Sequence, residues 1–206
     1  SKGNIFEGDW KNNFKHGKGV LLYNNKDKYE GDWKNNFRHG KGKIVYANGD
    51  IYDGEWANDK KEGYGKLSII INGIEYLGFF KDDYYHGEGT YKTAIGDYYK
   101  GDWKLGKKEG DGIYVSSIGD RYEGSWKNDM KHDYGKYEFA DGDKYEGFWK
   151  NDKIIGKGVY KFANGGRCEG NFLDGKLNGD GLFHFSNGDK YKGCLLYTSD
   201  AADDSL

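Results

Sequence analysis

The sequence predicts an all-β fold, an elongated single-layer antiparallel sheet of stacked β-hairpins, and three recurring features predict it. A five-residue unit of the form aromatic-x-Gly-x-Trp opens at Phe6, Tyr29, Tyr52, Tyr99, Tyr122 and Tyr145. It closes on Trp10, Trp33, Trp56, Trp103, Trp126 and Trp149, which are all six tryptophans of the chain. A glycine doublet such as Gly40/Gly42 or Gly87/Gly89 follows in nearly every unit, and a turn of the Asn-Gly-Asp type comes after it. Weaker copies start at Tyr76, Cys168 and Tyr191, so successive starts lie 23, 23, 24, 23, 23, 23, 23 and 23 residues apart. A fixed short period means that each unit is one supersecondary element able to bury its apolar face only against its neighbours.

Tyr29 to Ile51, YEGDWKNNFRHGKGKIVYANGDI, shows what one repeat builds. In YEGDW, Tyr29, Gly31 and Trp33 share one strand face while Glu30 and Asp32 take the other, the alternation of a half-buried strand. HGKGKIVY repeats the alternation, with Gly40, Gly42, Ile44 and Tyr46 opposed by Lys41, Lys43 and Val45. Lys34 to Arg38 links the two strands, and Asn48-Gly49-Asp50 closes the unit with a hairpin signal whose type I′ form needs φ > 0 at both central residues. Glycine inside a strand normally weakens a sheet. A doublet in nearly every repeat therefore points to room for a wide ring lying flat across a bare cross-strand backbone.

YEGDW, HGKG and NGD in fixed phase resemble the MORN repeat family, whose hairpins stack into an elongated, twisted single-layer antiparallel sheet. The resemblance spans residues 1–193, with eight repeats starting at 6, 29, 52, 76, 99, 122, 145 and 168 and a ninth beginning at 191. About sixteen strands at a spacing of about 4.8 Å would give a rod of roughly 75–80 Å. Three departures mark local irregularity. Phe80 replaces Trp beside an extra residue within Leu67 to Gly73, Asp133 stands where a doublet glycine is due, and Cys168 and Phe172 replace Tyr and Trp.

The chain has 206 residues, of which 35% are hydrophobic, with 35 Gly, 19 Tyr and no Pro, too few aliphatic residues for a thick two-layer core. Charged residues reach 32% but nearly cancel to a net charge of −2, unlike the basic balance of a general nucleic-acid binder. No apolar run of about 18 residues and no leader pattern is present, which points to a cytoplasmic protein in cytoskeletal or peripheral-membrane assemblies. Cys168 and Cys194 fall in columns of opposite strand face and make poor disulfide partners, consistent with a reducing compartment. The repeat breaks off at residues 194–206, a tail that resembles adaptor- or vector-derived sequence and is set aside from the fold.

No residues suggest catalysis, and no cofactor, metal or small-molecule substrate is expected. His16, His39, His86 and His132 share a column before the glycine doublet, too widely spaced to converge on one zinc ion, and read as turn residues. The Asp-Gly-Asp turns lack the spacing and closing Glu of a calcium loop. The glycine doublets precede no helix that could cradle a phosphate.

Two surface features remain. Lys11, Lys34, Lys81, Lys104, Lys127 and Lys150 follow the Trp column and form a rim that Lys15, Arg38, Lys60, Lys61, Lys107, Lys108 and Lys131 thicken. Each such lysine could contribute about 1 kcal/mol at an anionic lipid surface, although aspartates intersperse with them. Ile70, Leu77, Phe79 and Phe148 interrupt an otherwise polar outer face and form a candidate partner patch. The aromatic face is expected to leave a groove in which Tyr114 is an anchor.

These features predict a non-catalytic scaffold that binds protein partners or self-associates. The resemblance implies cytoskeletal, ciliary or membrane-associated assemblies. The alternative is a phosphoinositide- or anionic-membrane-targeting module of a larger enzyme, such as a phosphatidylinositol phosphate kinase.

Overall fold

The computed structural model describes residues 3–194, and every regular element in that range is a β-strand. Contacts divide the chain into two units, one ending at Lys107 and one beginning at Lys108. The first holds β1 (Ile5–Lys11), β2 (Phe14–Leu22), β3 (Lys28–Lys34), β4 (Phe37–Val45), β5 (Ile51–Ala57), β6 (Lys60–Ile69), β7 (Ile74–Lys81), β8 (Tyr84–Lys92) and β9 (Tyr98–Lys104). The second holds β10 (Lys107–Val115), β11 (Arg121–Lys127), β12 (Met130–Glu138), β13 (Lys144–Lys150), β14 (Lys153–Lys161), β15 (Arg167–Leu173), β16 (Lys176–His184) and β17 (Lys190–Cys194). Within each unit, consecutive strands pair antiparallel as a meander of hairpins, the predicted fold class. Residues 195–206, most of the predicted tail, lie outside the described range.

Two turns alternate along each meander, and the tighter one is where the sequence reading differs. The Lys34 to Arg38 link is only the two-residue turn Asn35-Asn36, with φ of 52° and 73°. Positive φ at both central residues is the type I′ condition, which Asn and Asp tolerate and which matches strand twist. Asn58-Asp59, Asp82-Asp83, Asn128-Asp129 and Asn151-Asp152 repeat it. The Asn48-Gly49-Asp50 turn is not of this type, since only Gly49 has positive φ, at 91°. There Tyr46 accepts from the Gly49 amide and donates to the Asp50 carbonyl, both at 2.9 Å. The extra residue before repeat four adds one rung, Ile69 opposite Ile74, before a turn in which the Gly73 amide donates to the Ile70 carbonyl.

The two glycines of the doublet have different tasks. Gly40 has φ of 63° and sits where Gly31 pairs with Gly42 but Trp33 already pairs with Arg38, a bulge that opposes Asp32 to three residues of β4. Asp133, in the place of a first-doublet glycine, adopts the same conformation with φ of 52°. The second glycine supplies room. A Cβ built on Gly42 would fall within 3.0 Å of the ring and hydroxyl of Tyr29, because that ring lies across the Gly31–Gly42 rung. Such rungs run strand by strand from Gly8 to Gly101 in the first unit and from Gly112 to Gly193 in the second.

The core of each unit is this ring-over-glycine layer. Tyr29, Tyr52, Tyr76 and Tyr122 are buried, as are Trp33, Trp56, Trp103, Trp126 and Trp149. Each Tyr hydroxyl donates to the carbonyl of the bulged residue three positions on, as Tyr29 does to Asp32 at 3.0 Å and Tyr52 to Glu55 at 2.8 Å. Each indole instead reaches back one repeat. Trp33 Nε1 donates to the Gly19 carbonyl at 3.2 Å, Trp56 to Gly42 at 2.9 Å and Trp126 to Gly112 at 3.2 Å. The rings meet edge to face within and between repeats, Tyr29 lying 5.1 Å from Trp33 and 5.4 Å from Trp56. Trp10 on the outermost strand β1 departs from the column, being 58% exposed.

Candidate functional site

Strand alternation gives each unit an inner face carrying the Tyr and Trp rings and an outer face carrying residues such as Glu30 and Asp32. The inner face is not the open groove expected from the sequence. The bulge turns the residue paired with each Trp toward the rings, so Arg38 lies 4.1 Å over the Trp56 ring, and Lys15 lies 4.7 Å over Trp33. Lys131 approaches Trp149 at 5.4 Å, and Tyr85 in the same column stacks on Tyr76 at 3.8 Å. Lys15, Arg38, Lys61, Lys108 and Lys131 therefore leave the predicted rim and cover aromatic rings, a cation–π arrangement. Tyr114 is half-buried, its ring 6.3 Å from Trp126 with Lys108 Nζ at 4.8 Å.

Both margins of the sheet are stitched from repeat to repeat by acidic or amide side chains. At the tight-turn margin, Asp59 Oδ1 accepts from the Arg38 amide at 2.9 Å and from Arg38 Nε at 3.0 Å, while its own amide donates to the Arg38 carbonyl at 3.1 Å. Asn36 to Lys15, Asp83 to Lys61, Asp129 to Lys108 and Asp152 to Lys131 repeat the backbone part of this latch. At the other margin, Asp27, Asp50, Asp120 and Asp143 each accept from a backbone amide twenty residues on. Most of the aspartates that seemed to dilute the lysine rim thus serve the array itself.

Lys11, Lys34, Lys81, Lys104, Lys127 and Lys150 each end a strand just before a tight turn, and all six are exposed. None enters an ion pair among the described residues. The column is interrupted by Ala57 in β5 and Leu173 in β15. His16, His39, His86 and His132 lie within β2, β4, β8 and β12 rather than in turns, because the tight turn is short and the strand resumes before them. Their Nδ1 atoms are buried without a hydrogen-bond partner. Among the described residues, no three His, Cys, Asp or Glu side chains converge as a metal site would require.

The predicted apolar patch falls in three places. Leu77 and Phe79 share the outer face of β7, with Phe79 paired across to Tyr64 of β6. Tyr64 and Phe79 meet edge to face at 5.3 Å and are 47% and 48% exposed. Phe148 belongs to the second unit, where it pairs with Tyr134 at 5.6 Å, and Ile70 lies in the β6–β7 turn near Gly49. Tyr64 and Tyr134 escape the sequence reading, although one column search would find them, since each sits one residue before a ladder glycine and opposite a phenylalanine. A groove of about 720 Å³, lined by Lys18, Val20, Glu30, Lys43 and Asp53, crosses the outer face of β2 to β5 over the glycine rungs.

Burial holds the Tyr29, Tyr52, Tyr76 and Tyr122 hydroxyls well above the ordinary phenol range and pushes Tyr145 up to about 12. It also pushes the Cys168 thiol up to about 11, with the Glu169 charge adding to it, so this buried thiol is a poor nucleophile.

No curated protein matches the sequence. Solved structures with a similar course of strands include the TCP domain of Drosophila melanogaster SAS-4 (dCPAP) in complex with a proline-rich motif of Ana2 (dSTIL). It is 13% identical over 87% of this chain and 84% of that one, with a TM-score of 0.37. The wild-type TCP10 domain of Danio rerio CPAP is 9% identical over 86% and 84%, with a TM-score of 0.46. Likenesses this low carry no conclusion about function. The MORN repeat profile matches residues 6–28, 29–51, 52–69, 76–98, 99–121, 122–144, 145–167 and 168–190. These segments follow the hairpin period of the fold, each opening on the aromatic residue that covers its glycine rungs or on its replacement Cys168, and the chain belongs to the MORN repeat family.

Proposed function

We propose that the chain is a non-catalytic interaction module that binds partner proteins, or a second copy of itself, in cytoskeletal, ciliary or membrane-associated assemblies. The observation that carries this reading is the outer face. Aromatic and aliphatic side chains stand exposed there, at Tyr64, Leu77 and Phe79 and again at Tyr134 and Phe148, on strands whose inner-face rings already pack against one another. Exposed aromatic clusters supply the anchors that dominate interface energy.

A second reading, contact with anionic lipid as the targeting part of a larger enzyme, draws support from the six exposed lysines without ion-pair partners. Salt separates the two, since a headgroup contact weakens as ions screen it. Sedimentation velocity over a concentration series and flotation with phosphatidylinositol-phosphate vesicles are each run at low and high salt. Concentration-dependent association that survives high salt, and that Tyr114→Ala weakens more than Lys104→Ala with Lys127→Ala, supports the scaffold. A monomer that floats with vesicles at low salt and is released at high salt replaces it with the lipid module.

A further inference from the structure

The cross-strand position that flanks each glycine rung on the outer face is polar on both strands in most repeats: Lys18 opposite Asp32, Lys41 opposite Glu55, Glu88 opposite Asp102, Asp111 opposite Ser125, Lys157 opposite Asn171. At two places it is aromatic on both, Tyr64 opposite Phe79 and Tyr134 opposite Phe148. A single exposed aromatic residue needs no explanation, but two substitutions that occur together across one rung form a surface feature.

The two pairs differ in their surroundings. The Tyr134 hydroxyl donates to Glu146 at 2.7 Å, and Lys136 Nζ lies 3.4 Å from the same carboxylate, so the acid beside that pair is already satisfied. Beside Tyr64 and Phe79 the row continues with Glu55 on β5 and Glu88 on β8, one strand away on either side at a spacing of about 4.8 Å. Both are exposed, and neither carboxylate enters an ion pair among the described residues. Lys66 of the parallel row is engaged with Glu75 at 2.9 Å. No cation of the described chain lies over the Tyr64 or Phe79 ring, whereas Lys and Arg side chains cover the inner-face rings. Between the rows the rungs Gly65–Gly78 and Gly78–Gly89 carry no side chain, and Leu77, 43% exposed, forms the other wall.

We propose that this outer-face site, with Tyr64 and Phe79 as ring surface and Glu55 and Glu88 as counter-charges, takes an arginine or lysine side chain from an extended segment of a partner protein. The assignment rests on the scaffold reading and names the chemistry of its partner. Two rings between two unpaired carboxylates complement a cation in the way the chain itself pairs Arg38 with Trp56 and Asp59. The bare glycine floor lets a backbone approach closely enough to deliver that side chain.

The test titrates the full 206-residue chain into a fluorescein-labelled peptide of alternating Arg and Ser, and into its citrulline counterpart, which keeps the shape and loses the charge. The arginine peptide is expected to bind about fivefold or more tightly than the citrulline one. Tyr64→Lys with Phe79→Asp restores the Lys-and-acid pairing common in the array, so the fold persists, and it should reduce binding by a similar factor. Glu55→Gln with Glu88→Gln should weaken binding and flatten its salt dependence. Tyr134→Lys with Phe148→Asp should leave binding unchanged. Equal affinity for the two peptides, or affinity insensitive to both the aromatic and the glutamate changes, overturns the site. If salt-resistant self-association persists in that case, only this inference falls, and if it is also absent the scaffold reading falls with it.

Discussion

Gly42→Val tests whether the ring-over-glycine layer holds the array together. Valine has the higher strand propensity, worth up to about 1 kcal/mol in its favour, and it removes unfolded-state freedom worth a further ~0.4–1 kcal/mol. Against this stands the Tyr29 ring, whose hydroxyl and Cε2 and Cζ atoms would lie within 3.0 Å of the new Cβ. Tyr29 is fully buried and flanked by Trp33 and Trp56, so it has no free volume to move into. Displacing it breaks the bond to the Asp32 carbonyl, about 1 kcal/mol, and loosens two edge-to-face contacts of about 0.5–1.5 kcal/mol each. Overpacking adds about 1–3 kcal/mol. The opposing effects leave a net loss of roughly 2–4 kcal/mol, and denaturant unfolding followed by far-UV circular dichroism measures it. In a double-mutant cycle with Tyr29→Ala, the cost of the valine should shrink by at least about 1 kcal/mol, because the obstructing ring is gone. Unchanged or raised stability in Gly42→Val, or no coupling to Tyr29, would refute the reasoning and leave the second-doublet glycines without this explanation.

Two further outcomes follow from the same geometry. Asp59→Gly keeps a residue that tolerates the φ of 69° and removes only the acceptor of two Arg38 hydrogen bonds, so it should cost about 1–2 kcal/mol in chemical denaturation. Asp59→Asn, which retains an oxygen acceptor, should cost less than half of that, and equal losses in the two variants would assign the effect to the turn backbone. The buried tyrosines predict alkaline unfolding. Their folded-state values lie above the ordinary 10.0, with Tyr145 up to about 12, so the unfolded chain loses phenolic protons first. Their stabilisation is complete below pH 10 and is lost as pH rises from there toward and beyond 12. Tyrosinate absorbance from the buried column should therefore rise together with loss of the sheet signal. Ionisation of the whole tyrosine set near pH 10 with the sheet intact would contradict the burial.

The parts of the fold legible in the sequence are those governed by period. Tyr29, Gly31 and Trp33 share a face because two-residue alternation leaves no other arrangement, and the 23-residue recurrence makes every repeat testify to the same strand. The bulge is different. Reading HGKGKIVY as unbroken alternation groups Gly40 with Gly42, and it leaves Arg38 on the rim with Lys34. In the fold, the αL conformation at Gly40 shifts the register and turns Arg38 onto the ring of Trp56. A shift of strand register exchanges faces, so one unrecognised positive-φ glycine misplaces a whole column of cations. A signal for it does exist in the composition of that column, Lys15, Arg38, Lys61, Tyr85, Lys108, Lys131, Ile154 and Leu177. Long cationic chains exchange there with tyrosine and aliphatic residues, and a position on a charged rim would have no use for Ile or Leu. The common property is a side chain long enough to lie over a ring or a glycine rung, as Leu177 does above Gly170 and Gly181 where Cys168 replaces the tyrosine. The outer-face site escapes for the complementary reason. Phe79 is conspicuous in its own column, but its meaning depends on Tyr64 across the rung, and fifteen residues of sequence separate two rings that the hairpin brings to 5.3 Å.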